Sequence, residues 1–197
     1  MFGQDKKLDS LKAISPNKQI ALALLVFERM LPSLTAFSED TGRDDSCFLE
    51  ARDAAWQSLQ KRRERSVYRS LNEACLENTP DTEDFSHDLT SEALNAALVM
   101  SNIMEFLLDS RVDHLASVLT LATDTVAMYI GSLDASVVSW LEQKRRIAVD
   151  PLMQQELHQE EEDIKFLAGL PHQFDDETIS ALRARASSQA PLLPAAR

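Results

Sequence analysis

A histidine and an acidic run near the C-terminal end form the densest group of candidate metal ligands. His158 is followed by Glu160–Asp163, and imidazole and carboxylate groups on one helix face can hold a metal ion. Di-iron bundles use a Glu-x-x-His pattern, and none of the four histidines has a glutamate three residues before it. We therefore expect a solvated, charged helix face here, with no metal site and no cofactor.

A second candidate site is the adjacent pair Glu28 and Arg29, which interrupts an apolar helical pattern. Charged side chains are seldom buried unless they are paired. One interpretation is that the pair faces a polar cavity, a partner subunit or charged neighbours. The other is that the helix has one solvated edge, as bundle helices often do. The sequence leaves both interpretations open.

The residues needed for nucleophilic catalysis do not fall into a recognisable pattern. The sequence has no Gly-x-Ser-x-Gly elbow, and its two cysteines, Cys47 and Cys75, are too distant for a Cys-x-x-Cys motif. The basic runs Lys61–Arg65 and Lys144–Arg146 could form an anion patch, but cations are also favoured at helix C-termini. We expect no catalytic residue, and the pattern favours a protein that is not an enzyme without deciding the point.

The composition limits the classes of partner. The net charge is −12 at pH 7, which argues against a broad nucleic-acid surface because phosphate binding depends on clustered Lys and Arg. The longest apolar run, Ile20–Phe27, is shorter than the roughly 20 residues of a membrane-spanning helix. We expect a cytoplasmic protein that binds neither nucleic acid nor membrane.

The spacing of apolar residues indicates helices almost everywhere. Only four glycines occur in 197 residues, and apolar residues recur at intervals of three and four rather than two. Ser15-Pro16 and Asp150-Pro151 each resemble a helix start. Pro32 predicts a kink, or two helices that meet near Leu31, and Gly42 predicts a stop.

The middle of the chain predicts the centre of a bundle. The segment from Thr90 to Asp109 is apolar on almost every side and leaves only a narrow polar stripe that includes Asn95. The next helix has strict four-three spacing from Leu115 to Leu133. We expect an all-α, single-domain helical bundle of about six to eight helices over residues 1–186. Residues 187–197 should form a disordered C-terminal tail.

Five segments of the sequence resemble a YjaG-like family of bacterial proteins, which is a domain of unknown function. They are ERMLPSLTAFSEDTG (28–42), DAAWQSL (53–59), NEACLENTPDTEDF (72–85), TVAMYI (125–130) and DPLMQQEL (150–157). The resemblance implies a compact, all-helical cytoplasmic protein and implies no reaction. Glu28, Arg29 and Asp84 are the polar residues of these segments that remain as candidate binding residues.

The sequence also departs from the family pattern. Relatives typically have Trp-x-His where this chain has Asn17 and Gln19, and an aromatic, Gly and Pro-containing helix entry where it has Asp88–Glu92. A nearby family Asp is replaced by Asn95. If those positions form a family site, this chain has lost or altered it.

Two functions are compatible with these features. The first is a non-enzymatic protein that acts through protein–protein interaction or self-association, as a homodimer held by its apolar helices. The alternative is a small-molecule or metal-binding bundle with a polar pocket near Glu28, Arg29 and Asn95.

Overall fold

The computed structural model describes residues 4–133 and 139–194. In these residues it contains nine helices, one more than the predicted range, and no strand. The all-α fold class is thus confirmed. The helices are α1 (Gln4–Lys12), α2 (Pro16–Thr41), α3 (Ser46–Ser58), α4 (Arg65–Asn78), α5 (Thr90–Asp109), α6 (Val112–Leu133), α7 (Trp140–Val149), α8 (Pro151–Ala168) and α9 (Asp176–Ser188).

Proline and glycine mark the helix ends that the sequence predicted. Pro16 and Pro151 each occupy the first helical position, where a missing N–H is harmless. The Asp150 side chain caps α8 by accepting from the Leu152 amide at 2.9 Å. Gly42 ends α2 with φ +71°, and its N–H donates to the Ser38 carbonyl, as a C-terminal glycine cap does.

Pro32 does not divide α2. The helix runs unbroken from Pro16 to Thr41, so the prediction of two helices that meet near Leu31 is wrong. Pro32 lacks an N–H for the carbonyl of Glu28, four residues earlier. Because its neighbours Met30 and Leu34 are buried on the same helix, tertiary packing holds the helix together across the proline.

Helix α5 lies at the centre of the bundle. It packs against α2, α3, α4 and α6, and side chains on nearly every side of it are buried. Helices α8 and α9 both pack on α2, α1 packs on α6, and α7 touches α6 and α8. The largest buried side chains of the single core include Trp56, Tyr68, Phe27 and Phe37.

Helices α2 and α6 are each long and apolar enough to cross a bilayer by length and composition. However, 67% of the apolar window of α2 is buried inside the protein, and 44% of that of α6. A buried core helix meets the same length and composition criteria, so these two helices are weak evidence for a membrane span.

Three segments differ from the sequence prediction. Lys61–Glu64 lies between α3 and α4, and Arg65 begins α4, so this run does not end a helix. The sequence predicts a short helix over residues 135–145, but α7 spans Trp140–Val149; residues 135–138 lie outside the described residues. The prediction of a disordered tail is wrong for 187–194, because α9 reaches Ser188 and Leu192 and Leu193 are buried. Residues 195–197 lie outside the described residues.

Candidate functional site: a buried charge cluster around Arg29

Arg29 is buried in the interface between α2 and α8. Only 4% of the residue is exposed. Its Nη2 atom donates to Glu156 Oε1 at 2.7 Å, and its Nη1 atom donates to Asp163 Oδ2 at 3.0 Å. Both carboxylates belong to α8. Of the two interpretations of the Glu28–Arg29 pair, burial with charged partners therefore holds for Arg29.

Two further cations contact the same face of α8. Lys7, on α1, donates to Glu160 Oε1 at 3.1 Å, to the Leu119 carbonyl at 2.6 Å and to Thr123 Oγ1 at 3.2 Å. Arg185, on α9, donates through Nε to Asp163 Oδ1 at 2.8 Å. What we call the buried charge cluster thus comprises three cations and three carboxylates, of which Arg185 alone is partly exposed, at 26% of its side chain: Lys7, Arg29, Arg185, Glu156, Glu160 and Asp163.

The pattern of α8 explains why these acids are buried. Its buried residues are Met153, Glu156, Glu160, Asp163 and Leu167, which recur at intervals of three and four and therefore share one face. Two apolar residues thus flank three acids on the core-facing stripe. This spacing was the available signal for the cluster, because the acids are in register with Met153 and Leu167.

The prediction of a solvated face around His158 is therefore wrong in part. Glu160 and Asp163 are buried, whereas His158 and Glu161 are exposed. The helix turns these residues to different sides, so a contiguous acidic run in sequence is not a contiguous acidic surface. Within residues 4–133 and 139–194, no three His, Cys, Asp or Glu side chains are grouped to hold a metal ion.

Burial changes the protonation of two of the cluster's carboxyl groups. Loss of solvation raises the pKa of Glu160 to about 7, and the repulsion from Glu156 adds to this effect while Lys7 opposes it. Loss of solvation likewise raises the pKa of Glu156, against the attraction of Arg29. Both shifts follow from the cost of a charge in a poorly solvated environment.

A small cavity adjoins Arg29. Its volume is about 30 Å³, and its walls come from α2, α8 and the segment after α9: Arg29, Leu152, Gln155, Glu156, Gln159, Ala190, Pro191 and Leu192. Arg29 Nε has no hydrogen-bond partner among the described residues. A volume of this size suits a water-sized molecule, so the cavity as it stands is too small for a metabolite.

The other sequence candidates lie in separate environments. Glu28 accepts from Trp56 Nε1 at 2.9 Å, on α3. Asn95 donates to Thr125 Oγ1 at 2.9 Å, on α6, and Asp84 is exposed in the loop before α5. Because Glu28, Arg29 and Asn95 contact three different helices, the structure does not bring them into one pocket.

The positions that depart from the family pattern serve local structure here. Gln19 is buried and donates to the carbonyls of Leu11 and Ile14, at 2.9 and 3.1 Å. These carbonyls lie at and just beyond the end of α1, where backbone acceptors lack helical partners. Asn17 donates to the Leu59 carbonyl at 3.3 Å. Both side chains therefore tie connecting segments to α2.

The two cysteines are neighbours in space but are not activated. Cys75 Sγ lies 3.7 Å from the Cys47 carbonyl, and both thiols are free. Burial raises the pKa of Cys75 to about 12 and also raises that of Cys47. Because the thiolate is the reactive form, this pair has little nucleophilic character.

Comparison with known proteins identifies the family. No curated protein matches the chain. A crystal structure of a DUF416 family protein from Shewanella baltica OS155 is similar with a TM-score of 0.81 and 20% identity, over 94% of this chain and 96% of that chain. At this identity the likeness shows the fold alone. A family model described as "Protein of unknown function (DUF416)" matches residues 6–190. The chain therefore belongs to the DUF416 family, whose function is unknown.

Proposed function

We propose that this protein is a non-enzymatic cytoplasmic protein that acts through self-association, with α7 as its contact surface. Exposed apolar side chains on α7 carry this proposal. Within residues 140–149 no side chain is buried, and Trp140 and Val149 are 71% and 76% exposed. Exposed large apolar groups that lie together often mark an interaction site.

Exposed residues are regularly spaced along the outward side of α7. Leu141, Arg145 and Val149 are exposed and recur every four residues, which places them along one side of the helix. With Trp140 they form what we call the α7 face. The opposite side carries Gln143 and Ile147, which line a cavity of about 240 Å³ between α7 and the end of α6.

The apolar helices that suggested a homodimer from sequence are largely used within the fold. Leu115, Leu119, Ala122 and Val126 of α6 are buried. Only Leu133, at the end of that stripe, is strongly exposed. If the protein associates with itself, α7 thus offers more free apolar surface than the stripe does.

The apolar side chains of the α7 face, rather than charges, carry the expected two-fold contact. Glu142, the one acid of α7, already pairs with Arg146 of the same helix at 2.8 Å. Two α7 helices packed antiparallel about a two-fold axis bring the same apolar residues of each chain together. Such an isologous contact closes on itself and gives a dimer rather than a filament.

The oligomeric state tests this proposal. We expect light scattering after size-exclusion chromatography to give twice the 22.1 kDa chain mass. A Trp140→Ala/Leu141→Ala variant should shift to the monomer because it removes exposed apolar area from the α7 face. Leu76→Ala is the matched control, since Leu76 is a half-exposed leucine on α4. A monomeric wild type, or a dimer that survives the double substitution, would contradict the proposal.

The cytoplasmic location rests on composition. The two free cysteines suit a reducing compartment, and fractionation of the source cells is the direct test. We also infer, from the five matching segments, that the YjaG-like proteins are among its relatives within the family.

One observation supports the alternative function, a bundle that binds a small molecule. Arg29 is buried beside a cavity, and its Nε has no hydrogen-bond partner in the part of the chain that the structure describes. Because the cavity is only about 30 Å³, a larger ligand could enter only if a wall moved. Of these walls, the segment that follows α9 is the one without helical structure.

A further inference from the structure

The last described residues of the chain pack across the buried charge cluster. We call Gln189–Leu193 the closing segment. It follows α9 without helical structure, and it covers the cavity beside Arg29 with Ala190, Pro191 and Leu192. The opposite wall consists of Arg29 and four residues of α8: Leu152, Gln155, Glu156 and Gln159. These five residues form what we call the α2–α8 groove.

The closing segment contacts the protein as a bound peptide would. The Leu192 amide donates to the Arg29 carbonyl at 2.8 Å. Gln189 accepts from Arg29 Nη1 at 3.2 Å and donates to Asp163 Oδ1 at 2.7 Å, so its amide lies across an ion pair. Leu192 and Leu193 are buried. Backbone hydrogen bonds, one polar anchor and buried leucines are features of peptide recognition.

The fit of the closing segment is incomplete. The cavity of about 30 Å³ remains between the closing segment and α8. Arg29 Nε has no hydrogen-bond partner among the described residues, although only 4% of Arg29 is exposed. Ala190 and Pro191 are exposed and add little packing. The closing segment thus covers the groove without filling the water-sized space beside this donor.

The groove lies within the part of the chain that the family model matches. The family model matches residues 6–190, which includes every residue of the α2–α8 groove. Leu192 and Leu193, which contribute the buried apolar part of the closing segment, lie beyond the match.

We propose that the α2–α8 groove is a peptide-binding site that the closing segment occupies in cis. Its partner in trans is a segment of another protein with the same recognition chemistry: an amide side chain followed three residues later by a leucine. This site is separate from the α7 face, so it stands or fails independently of the proposed dimer. The closing segment then acts as an autoinhibitory competitor for the partner.

Because the closing segment is covalently joined to the groove that it occupies, it competes strongly with any added peptide. A segment joined to its own groove by a short connection has an effective concentration of about millimolar. A free peptide therefore cannot displace it from the wild-type chain unless the peptide binds much more tightly. Leu192→Asp in the full-length chain removes the buried anchor, because a carboxylate at this position would have to be desolvated.

The probe is a fluorescein-labelled peptide with the sequence of residues 187–194. We expect fluorescence anisotropy to show that it binds the Leu192→Asp chain at least about tenfold more tightly than the wild type, whose groove is filled. The same peptide carrying the Leu192→Asp change should bind neither chain. Leu76→Asp, a surface change far from the segment in sequence, is the control chain and should behave as the wild type does.

Circular dichroism first establishes that the Leu192→Asp chain is folded. If the folded variant does not bind the peptide, or if it binds no more tightly than the wild type, the closing segment is an ordinary part of the fold and the proposal is overturned.

Hydrogen exchange of the wild-type protein gives a second test that needs no variant. We expect the Leu192 amide to exchange through local opening, faster than the amides in the middle of α9, because the closing segment lacks helical hydrogen bonds. Exchange of that amide only through global unfolding would overturn the proposal.

Discussion

Glu160 has the clearest pH-dependent role at the scale of single residues. In the folded protein its pKa is about 7, against an ordinary value of 4.5, so the native state holds the proton more tightly than the unfolded chain does. The stability that this group contributes is complete below pH 4.5 and is lost as the pH rises through 7. Acidification from pH 8 to pH 5 should therefore stabilise the fold through Glu160.

Glu160→Gln tests this direction, because glutamine has nearly the same shape and does not titrate. The free energy of unfolding of the wild type should increase from pH 8 to pH 5, by up to about 3 kcal/mol from this residue. In Glu160→Gln the free energy of unfolding should increase less over the same pH range. Glu156, whose pKa is also raised, accounts for a remaining dependence.

Urea denaturation at several pH values between 5 and 8 measures both proteins. Glu161→Gln is the control, since Glu161 is the exposed neighbour on the same helix. The same pH dependence in Glu160→Gln as in the wild type would show that Glu160 does not carry the effect.

At the scale of elements, α7 depends on local interactions more than the other helices do. Its N-cap is Ser139, whose side chain accepts from the Glu142 amide at 3.2 Å, in the Ser-x-x-Glu order of a capping box. None of residues 140–149 is buried, so tertiary packing cannot compensate for a lost cap as it does for α2 at Pro32.

Ser139→Ala should therefore loosen α7 without unfolding the protein. Loss of a serine cap destabilises a helix end by about 1 kcal/mol, and hydrogen exchange in Trp140–Val149 should accelerate severalfold. The global free energy of unfolding should change by less than about 0.5 kcal/mol, as for other surface positions. Ser132→Ala is the control, because Ser132 is an exposed serine whose hydroxyl donates to a carbonyl instead of capping a helix. Unchanged exchange in α7 would contradict this account.

At the scale of the whole molecule, one core and one charge cluster connect distant parts of the chain. Helix α8 binds Lys7 near the N-terminal end, Arg29 in α2 and Arg185 in α9. Neither α1 nor α9 can thus detach without leaving a buried carboxylate short of a partner, which is strongly unfavourable. This arrangement predicts that the helices unfold together rather than in stages.

Cooperative unfolding can be measured with the two tryptophans. Trp56 is buried in the core, and Trp140 is exposed, so Trp140→Phe leaves fluorescence that reports on the core alone. We expect its urea transition to coincide with that of far-UV circular dichroism, as a two-state transition requires. A core signal that changes before the helical signal would show that part of the bundle unfolds separately.

The sequence predicted the elements well because their signals are local. Proline at Pro16 and Pro151, glycine at Gly42 and the spacing of apolar residues act within a few positions of the chain. The all-α class and the central position of Thr90–Asp109 followed from these patterns alone, since an apolar helix can avoid water only inside other helices.

The sequence by itself thus determined the helices, the single core and the presence of a charged pair at Glu28 and Arg29. Only the tertiary structure decided that Arg29 turns to α8 while Glu28 turns to Trp56, and that Glu160 and Asp163 are buried. It also placed Leu192 and Leu193 against the fold. The physical reason is that the burial of a charge depends on partners that are distant in sequence, such as Glu156 for Arg29 and Lys7 for Glu160, and no local pattern specifies them.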